Sequence, residues 1–263
     1  MSAPIPIDTA MGASVGFWKG CRPASIGCAN CYAIMRQMPA YGYKHPSVVT
    51  VNKNFNKPSR LKKPSMIFVN PWSDFFIDDP TANANRDAAW AIMRNYSQHI
   101  FWFPTKHPEN ISRMLPPYWP LHNVWLGVSV ENQEWANKRM SILREIPIHE
   151  KAIRWVCAEP ILAPVRFEGP SSLDGYSWIF AGGESGNRKH PPRPNNPQWF
   201  VDMAAQCKAA GVPFLLAQLG NSSLGTAKCR CHSAYGCRAV PPGANGQTFE
   251  EFPPGWLLPQ TRT

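Results

Sequence analysis

Six short apolar runs, each ending in a polar cluster, recur along this chain and restrict the folds open to it. Residues 66–69 run into Asn70-Pro71-Trp72-Ser73-Asp74, 100–103 into Thr105-Lys106-His107, and 124–128 into Ser129-Val130-Glu131-Asn132. Residues 153–157 run into Ala158-Glu159-Pro160, 178–181 into Gly182-Gly183-Glu184-Ser185-Gly186, and 213–217 into Gln218-Leu219-Gly220. Runs this short, rich in Val, Ile and aromatic residues, read as strands buried on both faces of a parallel sheet. Between them, 82–96, 133–143 and 197–210 carry helical patterning, and the last ends at Gly211, a residue suited to a helix C-terminus. The alternation predicts an α/β fold: a partial or closed (β/α) barrel of parallel strands. In such barrels the site gathers at the C-terminal strand ends, where the polar clusters fall here. The plainer alternative is that some of these groups, such as Asp74 or Glu159, only cap the next helix.

A length of 263 residues fits one large domain, with or without an appendage. Periodicity stops near residue 220. The expected division is therefore a barrel domain over 1–220, carrying an N-terminal cysteine loop, and a loop-rich tail over 221–263. Residues 1–15 lack a basic start followed by an apolar core, and no apolar run is long enough to span a membrane. Both observations point to a cytoplasmic chain with no membrane partner, whose cysteines are reduced thiols or metal ligands rather than disulfides.

The net charge of +10 is unevenly placed. From Thr9 to Ser73 there is no Asp or Glu, while Lys19, Arg22, Arg36, Lys44, Lys53, Lys57, Arg60, Lys62 and Lys63 all fall in that stretch. Such a block either forms a solvated face or meets a polyanion: nucleic acid, a nucleotide or a phosphorylated metabolite. Tyr41, Tyr43 and Phe55 are interleaved with the cations, which favours the polyanion.

Two cysteine groups stand out. Cys21, Cys28 and Cys31 lie in the segment GCRPASIGCANCYA. Three soft thiolates in a short Gly/Pro loop suit an iron–sulfur cluster, and three ligands leave one iron of a cubane open to a small molecule. The alternatives are a zinc site with a fourth ligand from elsewhere, or three unrelated thiols. Cys229, Cys231 and Cys237, with His232, lie in the tail. A tail without its own core can be held together by a metal such as zinc. Cys157 and Cys207 fall in a predicted strand and helix and read as small buried hydrophobes.

The segments GCRPASIGCANCYA, NPWSDFF, TKHPENI, NVWLGVSVENQ, CAEPIL, AGGESG and AAGVPFLLAQLG together resemble the phage Gp37/Gp68 family, itself similar to radical S-adenosylmethionine enzymes. The resemblance covers roughly 14–220 and continues into 248–253. It implies that Cys21, Cys28 and Cys31 hold a [4Fe-4S] cluster in the loop after the first strand. S-adenosylmethionine would bind the open iron and be reduced to a 5′-deoxyadenosyl radical that abstracts a substrate hydrogen. The gap of six residues between Cys21 and Cys28 departs from the common C-x3-C-x2-C spacing. In radical enzymes a Gly-Gly-Glu after an early strand grips the methionine amine. Here Gly182-Gly183-Glu184 follows a late strand, so that role is not carried over.

On this reading Ser73, Asp74, Thr105 and Lys106 are candidates for the methionine end of the cofactor. Ser129, Glu131 and Asn132 are candidates for ribose or carboxylate contacts, and Tyr32 for packing on the cluster or adenine. Glu159, Glu184 and Ser185 are the catalytic candidates facing substrate. The implied partners are a reductase or flavodoxin-type electron donor and a nucleotide or DNA substrate, as in phage-type DNA modification within a host cell. A base in DNA would have to be flipped out or single-stranded. Isomerase, lyase and methylthiolation chemistry are all open, including a lyase that repairs DNA lesions. The competing reading is a zinc-stabilised nucleic-acid-binding module without catalysis.

Overall fold

The structure is a computed structural model that describes residues 13–186 and 189–220. The tail candidates Cys229, Cys231, His232 and Cys237 lie outside the described residues, as does the expected tail domain.

Seven strands form one sheet: β1 (Ala13–Val15), β4 (Met66–Val69), β5 (Ile100–Thr105), β6 (Val124–Ser129), β7 (Arg154–Ala158), β8 (Trp178–Gly182) and β9 (Phe214–Gln218). They pair in that order and every pairing is parallel. β1 and β9 are the two edges, so the barrel is a half-barrel rather than a closed one. Two further two-residue strands, β2 (Trp18–Lys19) and β3 (Thr50–Val51), pair antiparallel within the long segment between β1 and β4.

Three helices cover one face: α1 (Pro80–Asn95), α2 (Gln133–Arg144) and α3 (Pro197–Ala210). Each begins where a side chain accepts a backbone N–H: Asp79 from Thr81, Asn132 from Trp135, Asn196 from Gln198. These caps satisfy donors that the first helical turn leaves open. α3 ends at Gly211 with φ of 66°, a conformation that costs glycine little. No helix among the described residues is long and apolar enough to cross a membrane.

Alternation along the strands divides the core in two. Phe101, Phe103, Val124, Leu126, Val128, Val156 and Ile179 pack against Trp90, Met140, Phe200 and Met203 of the helices. The opposite, inner face carries Trp102, Trp125, Trp155, Trp178 and Phe180. Large aromatic side chains fill the concavity, and β6 makes room for them. A Cβ on Gly127 would lie 2.5 Å from the Trp155 ring, so only glycine fits there. Above this aromatic layer, at the C-terminal strand ends, the side chains become polar.

The strands at 100 and 124 run to Thr105 and Ser129, beyond the expected apolar runs. The ladder continues through Thr105↔Val128 and Ser129↔Cys157, so the backbone pairing outlasts the apolar pattern. β1 was not anticipated. Three residues, Ala-Ser-Val, are too few to show a period.

Candidate functional site

The cysteine loop lies across the C-terminal mouth of the half-barrel, and hydrogen bonds to several strand ends hold it there. Ser25 Oγ donates to Glu131 Oε1 at 2.7 Å, two residues past β6. Asn30 Nδ2 donates to Glu184 Oε2 at 2.9 Å, two residues past β8. Tyr32 donates its hydroxyl to the Pro71 carbonyl at 2.9 Å, two residues past β4. Ser73 Oγ donates to the Gly20 carbonyl at 2.6 Å. Arg22 bonds Asp79 and the Asp78 carbonyl, each at 2.9 Å. The close fit extends to Gly27, where a Cβ would strike Glu131 Cγ at 2.5 Å. Within the loop, Cys28 N donates to Ser25 O and Cys31 N to Cys28 O, which coils the last two cysteines around one turn.

All three cysteines are partly buried. Burial, reinforced by the charges of Asp74, Cys31 and Cys28 and opposed by Lys106, pushes the Cys21 thiol up to about 12. The three thiols therefore share one electrostatic environment. A metal bound there must displace a firmly held proton. Among the described residues, no three His, Cys, Asp or Glu side chains converge on a single metal ion. A cubane asks for less convergence, because each thiolate binds a different iron. The donor set, its placement and the neighbouring ammonium of Lys106 fit such a cluster.

Beneath the loop lies a charged network. Glu131 is fully buried and pairs with Arg139 Nη1 at 3.0 Å and Lys106 Nζ at 3.3 Å. Burial alone would lower the Lys106 pKa, but Glu131 and Cys28 outweigh it and hold the ammonium above its ordinary value. Arg139 also donates to the Ser129 carbonyl at 2.8 Å and lies 4.1 Å above the Trp135 ring. Its Nε and Nη2 are buried without a hydrogen-bond partner, so the network draws its stability from the ion pair and the ring.

Asp74 is buried, and both its oxygens are engaged. Oδ1 accepts from Thr105 Oγ1 at 2.7 Å and from Phe76 N at 2.9 Å, and Oδ2 accepts from Lys106 N at 2.8 Å. Asp74 and Thr105 thus tie the end of β4 to the end of β5, while Lys106 extends its ammonium towards Glu131 and the thiols. Asp79, not Asp74, caps α1. Asn132 accepts from Trp135 N at 3.0 Å and caps α2. Ser129 is buried at the end of β6.

The catalytic candidates separate. Glu159 accepts from Gln218 Nε2 at 2.6 Å, and burial raises its pKa against that bond and Lys106. It also stands against Gly182, where a Cβ would meet Glu159 Oε1 at 2.7 Å. Glu184 is gripped by Arg193 as well as Asn30. Burial would raise its pKa, but these donors hold it below the usual range. Ser185 lines a small cleft with Asn30, Tyr32 and His190, which brings it to the loop's far end. Cys157 is buried, and burial followed by the charge of Glu159 pushes its thiol to about 12; Cys207 is buried in α3. Both match the small-hydrophobe reading.

Ser25, Asn30, Arg139 and Arg193 were not anticipated, whereas Gln218 stands in the polar cluster expected after the last strand. Arg139 carried a signal: it occupies the apolar stripe of α2 with Ala136, Met140 and Leu143. A cation on that stripe requires a buried counter-charge. Arg193 carried none, since only the fold brings it to Glu184 and to the Ile26 carbonyl, 2.9 Å away and 167 residues distant.

A family profile described as "Protein of unknown function (DUF5131)" matches residues 11–253. The chain belongs to that family. The DUF5131 match begins just before β1, takes in the cysteine loop and all seven strands of the sheet, and reaches past the tail cysteines. No curated protein and no solved structure matches the chain.

Proposed function

We propose that this DUF5131 chain is a radical S-adenosylmethionine enzyme that modifies or rearranges a nucleotide or DNA base. The observation that supports it is the placement of the cysteine loop. The loop after β1 that carries the three thiols is tied by Tyr32, Ser25 and Asn30 to the ends of β4, β6 and β8 at the open mouth of a parallel half-barrel. The resemblance to the phage Gp37/Gp68 family and its radical-enzyme relatives points to the same chemistry.

Cys21, Cys28 and Cys31 would hold a [4Fe-4S] cluster. When bound, that cluster supplies the electron that cleaves S-adenosylmethionine to the 5′-deoxyadenosyl radical, an electron replenished by a reductase or flavodoxin-type donor. The chain's own residues orient and exclude. The Trp102, Trp125, Trp155 and Trp178 layer closes the floor of the mouth to water. Lys106 keeps a positive charge beside the thiols, which favours the anionic thiolates. The Glu131–Arg139 pair holds Lys106 in place from below. Glu159, whose pKa burial raises, and Ser185 are the groups offered to substrate; Glu184 positions the loop through Asn30 and Arg193.

The test is product formation. Anaerobically purified protein, given dithionite and S-adenosylmethionine, should release 5′-deoxyadenosine. Reconstituted protein that carries iron yet never yields it would overturn the assignment.

A further inference from the structure

We infer that the ring platform of Tyr41, Trp72 and Tyr43, with Lys44 beside it, docks single-stranded DNA and leads it past the cysteine loop. The inference rests on the nucleotide-substrate reading above and gives that substrate its form.

Tyr41 is 73% exposed, the most exposed large hydrophobic side chain among the described residues. Its ring centre lies 5.2 Å from that of Trp72, and the Tyr43 ring meets Trp72 edge-on at 5.9 Å. Lys19 Nζ sits 3.9 Å from the centre of the Tyr43 ring and donates to its hydroxyl at 2.6 Å. Trp72 is fixed from the other side by its Nε1 bond to Gln37. The rings lie against one another at the surface instead of being drawn into the core. Such an aromatic platform can stack on any base, because every base has a π-face.

Beside the platform runs a groove of about 270 Å³ between Tyr43, Lys44, His45 and Val48. Its wall is the backbone from which the first cysteine hangs. Cys21 N donates to the Pro46 carbonyl at 3.1 Å, and a Cβ on Gly20 would lie 2.1 Å from the Val48 carbonyl. A strand lying in the groove is therefore separated from Cys21 by the 46–48 backbone.

Charge selects the occupant. No Asp or Glu occurs from Thr9 to Ser73, so every formally charged side chain of this segment is a cation. A phosphodiester backbone gains from such a surface by releasing counterions. An acidic peptide would match the charge but leave the ring platform unused. A duplex would keep its base faces stacked on each other and away from Tyr41.

The experiment is fluorescence anisotropy of the full chain with a labelled oligothymidylate, its duplex and an oligouridylate. The single DNA strand should bind most tightly, with affinity falling as salt rises. Tyr41→Ala should weaken it about tenfold. Lys44→Glu should weaken it further and flatten the salt dependence by roughly one to two units of slope. Both side chains are exposed, so melting and iron content should not change. Absence of binding, variants that bind like the parent, or tighter binding of duplex or RNA would each overturn the inference. Cys28→Ser should bind DNA normally. Binding through Tyr41 and Lys44 by a protein that takes up no iron would leave the docking site standing and remove the radical enzyme. Release of 5′-deoxyadenosine without DNA binding would do the reverse.

Discussion

Residues 66–218 and the cysteine loop, residues 20–32, are held in place by different forces. The first segment is strands and capped helices around two apolar layers, with its side chains locked by volume: Gly127 exists to admit Trp155, and Trp178 and Phe180 fill what remains. The second has no buried apolar side chain, and it is fastened to the first by hydrogen bonds at the strand ends. A body held by burial unfolds as a unit, whereas a segment held by polar contacts can open locally. A barrel floor that stays shut beneath a loop that can part is a useful division for a site that must admit cofactor and substrate.

The largest test strikes the joint between the regions. Arg139→Met leaves the buried Glu131 carboxylate with Lys106 and Ser25 alone, and should cost roughly 3–5 kcal/mol in urea unfolding. Adding Glu131→Gln should not recover that loss, because it leaves the Lys106 ammonium without its carboxylate in turn. If the single variant unfolds like the parent, the network does not support the mouth. Gly127→Ala overfills the aromatic layer and should cost about 1–3 kcal/mol, seen in the same global transition and not in loop opening.

Effects confined to the loop should be smaller and should miss the global transition. Glu184 has a depressed pKa in the folded protein, so its contribution is present above the ordinary Glu value of 4.5 and is lost as pH falls through its lower folded value. Hydrogen exchange of residues 26–32 should therefore quicken in acid before the strands loosen. Simultaneous loosening would contradict the division. Smallest of all, Arg22→Ala removes a half-exposed pair with Asp79 and should change global stability by less than about 1 kcal/mol. Its mark should be faster exchange at the start of the cysteine loop.

The same contrast decides what could be read from the sequence. The body announced itself through periodicity: six strands and three helices fall within a few residues of their expected bounds, since burial on both faces leaves continuous apolar runs. The ends slipped where Thr105 and Ser129 continue the ladder with polar side chains. Cys21, Cys28 and Cys31 were legible as residue types with a spacing. Their supports were not, because Ser25, Asn30 and Arg193 are ordinary polar residues until the fold brings partners from distant segments to them. Asp74 and Asn132 were picked out as polar residues after strands, and the fold gives them tying and capping bonds there.

The central claim is that the three loop cysteines hold a cluster, and the most direct test is the anaerobic absorption spectrum and iron count of the parent beside Cys21→Ser, Cys28→Ser and Cys31→Ser. The account predicts a brown parent with about four irons per chain. It predicts that each variant loses most of that iron while its body still folds. A colourless parent, or variants that keep their iron, would contradict it.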